Sequence, residues 1–245
     1  MNSLSHVKEQ IALDRPVTQL TLLRGRSQEQ RSVSVDSVSY HLFKPRSARH
    51  PLLAAAYELW RDGWQAALAE LEGAVKMHSD EFGRQDEIGV LCVDGCCVSI
   101  TGLRWFDLGL AMAREDSYFS NWPRDSLSQL GPRLVGIPSN LIVHSEWRRT
   151  LIEPRSENVG TPVTLAFASL ALAIRRFVDS PAERFIGVAR NDRSMNRVAA
   201  AIGGTKIGQT TVHGIDSDLI CITRDDARPE GAIADTLWER RHHQQ

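Results

Sequence analysis

Gly136–Arg149 reads GIPSNLIVHSEWRR. The apolar run Leu141-Ile142-Val143 has the length and side chains of a buried strand end, and it passes at once into a polar His-Ser-Glu-Trp. Arg148 and Arg149 follow immediately, so two guanidinium groups stand where a strand releases its chain. Such cations suit a phosphate, because a helix N-terminus nearby would add unpaired N–H groups and a favourable dipole. Pro162 marks the expected start of that helix, and Arg155 lies in the loop between. On these residues alone the stretch is equally a solvated basic loop, since Arg pairs on surfaces contribute little by themselves.

Outward from this stretch, the pattern predicts one mixed α/β domain. SVSVDSVSYHLF, from Ser32, spaces Val33, Val35, Val38, Tyr40 and Leu42 as a strand would. PLLAAAYELWRDGWQAALAELEGAV opens a helix on Pro51, with Gly63 as a possible kink. GVLCV, Asp94-Gly95 and CCVSITGLRWF read as a β-hairpin on a two-residue turn. Leu108–Arg114 offers one or two helical turns, and NWPRDSLSQLGP reads as loop. A strand is expected over 134–143, an irregular loop over 150–162, and a buried helix in VTLAFASLALAIRRFV. Then come a strand in ERFIGVAR, a helix in DRSMNRVAAAIGG and a last strand in SDLICITR. The hairpin demands antiparallel neighbours, which excludes a purely repeating βαβ array. Residues 1–32 read as a flexible arm, 33–224 as the folded domain, and 225–245 as a tail with a short helical piece.

The bulk numbers set bounds. A chain of 245 residues with 42% hydrophobic and 24% charged residues can bury a sizeable core. A net charge of -1 gives no footprint for nucleic acid or an anionic membrane. No apolar run approaches the ~20 residues of a spanning helix, and because residues 1–15 carry charges and no apolar h-region a secretory leader is not expected. Cys92, Cys96, Cys97 and Cys221 are spaced for strands in a reducing compartment rather than for a metal. A cytoplasmic protein without a resident metal or cofactor is the expectation.

Two segments together resemble the GNAT acyltransferases. In that superfamily a strand leads to an Arg-rich step and a glycine-containing pyrophosphate turn. Here Val143 leads to Arg148-Arg149, and Arg155-Ser-Glu-Asn-Val-Gly160 is a stretched form of the turn. Asn191-Asp-Arg-Ser194, a helix and Gly203-Gly204 are similar to the second motif. The front half resembles the acyl-homoserine-lactone and N-acyl amino acid synthases. Its marks are Asp62-Gly63-Trp64, the stretch Asp80-Glu81-Phe82-Gly83-Arg84-Gln85-Asp86, and Gly102-Leu103-Arg104-Trp105. The Glu-x-x-Arg of the autoinducer synthases is replaced by Ile137-Pro-Ser-Asn140, which points to a relative acylating another amine.

The resemblance implies a GNAT-like fold, with helices on both faces of a central mixed, partly antiparallel sheet. It implies transfer of an acyl group, fatty acyl by preference, from acyl-CoA or acyl carrier protein to a primary amine. That amine would belong to an amino acid, a peptide or a related small molecule. In this fold a splayed central strand meets the pantetheine, so Ile142 or Val143 is the expected oxyanion donor. Arg148, Arg149 and Gly160 would hold the pyrophosphate, and Asn191 would face the pantetheine. Asp86, Glu87 and His144 are the candidate bases; Asp86 or Glu87 is alternatively the site of the acceptor's ammonium. His144 qualifies by the titration range of imidazole. Arg104 would hold an acceptor carboxylate, in a pocket with Trp64, Trp105 and Asn140. Each also has a structural reading: surface His, hairpin entry, strand-end Arg and core Trp. A second functional class stays open, a non-catalytic acyl-CoA-binding or scaffold module on a degenerate GNAT fold.

Overall fold

The computed structural model describes residues 31–73, 79–156, 160–229 and 231–244. The expected arm over 1–32 therefore lies almost wholly outside the described residues. The strand expected from Ser32 is broken in two. β1 (Ser32–Ser34) ends where the Ser34 hydroxyl accepts the Asp36 N–H and caps a 3-10 turn. β2 (Val38–Phe43) resumes the extended run. α1 (Pro51–Glu72) begins on the expected proline, with His50 Nδ1 accepting from Leu52 N. It runs unbroken through Gly63. A Cβ there would lie 2.8 Å from Ile142 Cγ2, so the glycine lets the helix close onto the sheet rather than kink.

β3 (Glu87–Val93) and β4 (Cys96–Asp107) form the expected hairpin. Asp94 (φ 49°) and Gly95 (φ 79°) are both left-handed, the backbone a two-residue turn of matching twist requires. After β4, α2 (Ala111–Arg114) lies where one or two helical turns are expected, whereas the stretch read as loop holds α3 (Arg124–Leu130). Leu108, Phe119, Trp122 and Leu130 bury one face of this excursion. β5 (Leu134–Val143) has the predicted bounds.

The loop expected after it is partly ordered as strand. β6 (Leu151–Glu153) pairs with β1 and with β7 (Val163–Thr164), forming a small second sheet. α4 (Leu165–Val178) consequently starts after Thr164, whose hydroxyl accepts from Phe167 N, and not at Pro162.

β8 (Arg184–Arg190) and α5 (Met195–Ala201) follow as expected. Between α5 and the last predicted strand, β10 (Ile215–Thr223), lies an unanticipated edge strand, β9 (Thr205–Val212). The tail is part of the domain: α6 (Ala232–Glu239) buries Ile233, Leu237 and Trp238. β11 (His242–Gln244) pairs in parallel with β2.

The main sheet has the order β11-β2-β3-β4-β5-β8-β10-β9, with parallel pairs at β11/β2 and β5/β8 and antiparallel pairs elsewhere. α4, α5 and α6 cover one face. α1 and the α2–α3 excursion cover the other. This is the mixed sheet with helices on both faces that the sequence predicts. No helix among the described residues is long and apolar enough to cross a membrane.

Candidate active site

The feature that organises the site is a ladder that stops. β5 and β8 pair in parallel at only two positions, Val135↔Arg184 and Gly136↔Phe185. Beyond them β5 stays paired to β4 and β8 stays paired to β10, so the sheet divides.

The register explains why. Leu103 O accepts from Asp86 N, and Trp105 N donates to Asp86 Oδ2, so these residues face β3. Peptide groups alternate along a strand. Arg104 therefore faces β5, its partner Ile137 faces β4, and Pro138 faces the β8 side. On β8, Asn191 N donates to Asp216 O, so by the same alternation Ile186 and Val188 face β5. The next rung would run from the amide of residue 138 to Ile186 O. Proline has no N–H to supply it. Val188 N–H, left over on the far side, lies near the phenol of Tyr118. Burial pushes that phenol well above its ordinary range.

A second irregularity lies two residues on. Ser139 pairs with Gly102 and Ile142 with Ile100, so Asn140 and Leu141 together oppose Thr101. This is a β-bulge, and Asn140 sits in the left-handed region at φ 55°. Past the bulge, His144 N donates to Val98 O. Alternation then turns Ile142 toward β4 and Val143 toward the opening. Of the two expected oxyanion donors, Val143 is the one whose N–H faces the gap.

Two of the donor-side candidates lie at this exit. Arg148 and Arg149 are exposed, and among the described residues neither makes an ion pair; Arg148 Nε approaches Val143 O at 3.5 Å. The pairing Leu151↔Thr164 places them beside the first turn of α4, where Thr164 caps the Phe167 amide. Gly160 lies elsewhere, against Ala232 of α6. Arg155 pairs with Asp36 at 2.8 Å. Asn191 stands on the opposite lip. Its amide donates to Asp218 Oδ1 at 3.3 Å, and its buried Oδ1 has no hydrogen-bond partner among the described residues.

Several candidates on the other side are committed to one another. Trp64 Nε1 donates to Asn140 Oδ1 at 2.8 Å. Arg104, 7% exposed, grips Asp116 with both terminal nitrogens at 3.2 and 2.8 Å. Burial would raise the Asp116 carboxyl, but the bonds from Arg104 and from Tyr118 N, with Arg84 nearby, hold it below the usual range. Glu87 is buried in a two-pronged pair with Arg176 at 2.7 and 2.8 Å, and Arg176 lies over the Trp105 ring. Asp86 is exposed and accepts from Trp105 N through Oδ2. His144 is exposed at the strand exit, with Nδ1 accepting from Glu146 N at 3.4 Å. Ser169, inside α4, bonds Ser99 rather than any base.

α1 spans the opening on its own face. Beyond Trp64, Glu70 pairs with Arg193 at 3.1 Å, and Glu72 contacts His213 in the β9–β10 turn. Sequence reasoning did not single out Tyr118, Asp116, Pro138 or Gln85. Only Pro138 carried a local signal, a proline inside a strand that is not at a sheet edge.

No protein-family model matches the sequence, and no curated protein matches it closely enough to count as a relative. Solved structures do match. FeeM, an N-acyl amino acid synthase from uncultured soil microbes, superposes with a TM-score of 0.51 at 9% identity. The match covers 81% of this chain and 97% of that one. BjaI, a CoA-dependent acyl-homoserine lactone synthase solved with SAM and isopentyl-CoA, gives 0.51 at 12% identity, over 84% of this chain and 93% of its own. The chain has the GNAT-type fold, in the form seen in the acyl-homoserine-lactone and N-acyl amino acid synthases.

Proposed function

We propose that this chain is an N-acyltransferase that moves an acyl group from a CoA or carrier-protein thioester to the primary amine of an amino acid, a peptide or a related small molecule. The observation that carries the reading is the divided sheet. A strand pair ended by Pro138 leaves unladdered peptide groups on both lips, and an amide-bearing pantetheine arm offers complementary donors and acceptors. Arg148, Arg149 and the first turn of α4 supply charge and free N–H groups for the donor's phosphates.

In this mechanism the amine lone pair attacks the thioester carbonyl carbon. A C–N bond forms, the carbonyl electrons move onto oxygen, and Val143 N–H stabilises that oxyanion. Collapse breaks the C–S bond and expels a thiolate, which takes up the proton that the base removes from the amine. The amine's surplus proton passes to a base, for which His144 is the best placed candidate. Among the described residues its Nε2 is unengaged, whereas Glu87 is tied to Arg176. Direct transfer fits the thiols: burial pushes Cys92 up to about 11 and Cys97 up to about 12, far from a thiolate at neutral pH. Arg104 is neutralised by Asp116, which favours an acceptor chosen by its amine rather than by a carboxylate.

Incubation with mixed acyl-CoAs and an amine pool tests the reading: thiol release that depends on added amine is the expected result. Saturable thioester binding without release favours the non-catalytic module instead. Changing Arg148 and Arg149 together to Ala raises the donor KM while the fold persists; an unchanged donor dependence removes them from the site.

A further inference from the structure

Ser139 and Asn140, where β5 breaks step with β4, are gripped from opposite sides. From α1, Trp64 Nε1 donates to Asn140 Oδ1 at 2.8 Å. From the segment entering β3, Gln85 Oε1 accepts the Ser139 hydroxyl at 2.6 Å. Gln85 is only 1% exposed, and its Nε2 donates to the main-chain oxygen of Glu81 at 2.9 Å. That last bond fixes which way the Gln85 amide points, since a carbonyl oxygen only accepts. Ser139 must then be the donor to Gln85, and its oxygen is free to accept from Asn140 Nδ2 at 3.5 Å. The direction of every link is forced, from an indole that only donates to a carbonyl that only accepts.

Space is reserved for this arrangement. Gly102 of β4 lies against it, and a Cβ there would stand 2.6 Å from Gln85 Oε1 and 2.9 Å from Ser139 Oγ. Contacts that short do not occur in relaxed structures, so any other residue at 102 displaces the pair. Asn140 in turn tolerates the left-handed backbone better than most side chains.

We propose that Gln85 and Trp64 are positioning residues, which clamp the Ser139–Asn140 bulge so that the peptide groups beyond it, Val143 N–H foremost, stay aimed into the divided sheet. Neither touches the reacting atoms. The proposal rests on the acyl-transfer reading and adds that the acceptor-side segment 79–86 and α1 set the geometry of the oxyanion donor. A donor used only in the transition state changes kcat rather than ground-state binding.

The test is a set of variants in the full chain: Gln85→Ala, Ser139→Ala, Trp64→Phe, Asn140→Gly and Asn140→Asp. Gln85→Ala and Trp64→Phe are expected to lower kcat by about 100-fold, the scale of a 1 Å misplacement, with donor KM little changed. Asn140→Gly keeps the backbone angle but loses the latch and falls similarly. Asn140→Asp keeps an acceptor for the indole and retains more activity than Asn140→Gly. The Trp64 indole N–H resonance, assigned by its loss in Trp64→Phe, moves in both Gln85→Ala and Ser139→Ala.

A folded Gln85→Ala with wild-type kcat, or a loss confined to KM, overturns the clamp. Should Gln85→Ala fail to fold, Ser139→Ala carries the same kinetic expectation. If the wild type acylates no amine, the acyl-transfer reading fails. The clamp is then judged by amide exchange at Val143, and an unchanged rate in Ser139→Ala overturns it.

Discussion

Pro138 of β5 stands across the divided sheet from Gly187 of β8: a Cβ built on Gly187 would lie 3.7 Å from Pro138 Cγ and 3.9 Å from Cδ. Those are ordinary contact distances, so one methyl group fits and a larger side chain must enter the gap. Gly187→Ala is expected to fold and to bind a CoA thioester nearly as the wild type does. Gly187→Phe is expected to fold while weakening thioester binding by at least about tenfold, a loss of ~1.4 kcal/mol. Calorimetric titration with a hydrolysis-resistant acyl-CoA analogue measures both, and equal affinities would place the donor elsewhere.

Pro138 itself makes a complementary prediction. Pro138→Ala restores the amide that could reach Ile186 O, and the ladder is expected to extend by one rung. Hydrogen exchange reads this directly as slow exchange at the new amide, accompanied by slower donor binding. Fast exchange there would mean that something other than the missing N–H parts the strands.

The Glu87–Arg176 pair joins β3 to α4, with side-chain exposures of 8% and 21%. Removing one partner strands a buried charge, so Glu87→Ala is expected to cost about 3–5 kcal/mol of stability. Activity should follow the folded fraction, and restoring the fold with a stabilising osmolyte should restore turnover. An inactive but fully stable Glu87→Ala would return Glu87 to the list of bases.

Asp218 carries the clearest pH dependence. The Lys206 ammonium, at 2.9 Å, is the chief cause of a carboxyl held at about 2; burial opposes it, and bonds from Asn191, Gln209 and Asn196 add to the lowering. A depressed carboxyl stabilises the fold above its unfolded value near ~3.9, and that contribution is lost as pH falls through the folded value. Asp218→Asn is therefore expected to melt earlier than the wild type at pH 7. The difference should shrink between about pH 4 and pH 2. A constant gap across that range would show that the charge is not what matters.

His41 acts in the opposite chemical sense. Burial first, then the neighbouring His242 and His50, lowers its imidazole to about 4. Its ring stacks on His242 at 4.8 Å, where β11 joins β2. The unfolded chain takes up the proton near ~6.5 and the folded one only near 4, so stability falls as pH drops across that interval. His41→Phe is expected to flatten the dependence, seen as loss of acid-induced exchange in β2.

Much of the architecture is legible because it is local. Asp94-Gly95 writes its own turn, Pro51 opens α1, and the apolar run ending at Val143 bounds β5 correctly. β6, β7 and β11 span two or three residues each and exist through distant partners, so no short pattern announces them. β9 alternates too weakly, TKIGQTTV, and α3 is largely polar because only Ser126 and Leu130 turn fully inward. The site divides in the same way. Trp64 meets Asn140 directly, while Arg104 and Val143 lie well apart along the β4–β5 pair. Their partners were not visible: Asp116 answers Arg104 from the excursion, and Arg176 answers Glu87 from 89 positions away. Pairing of that kind depends on which faces meet, and spacing along the chain does not encode it.

Two rungs between β5 and β8 leave the molecule as a pair of stiff plates on a common spine. That spine is α4, which sends Leu165, Ala168 and Leu172 into one half of its face and Leu170, Ile174 and Phe177 into the other. A guest lodged in the seam would add cross-links that the chain itself cannot make. Occupancy would then hold β5 and β8 together beyond Gly136, adding to the side-chain packing that already joins the two halves.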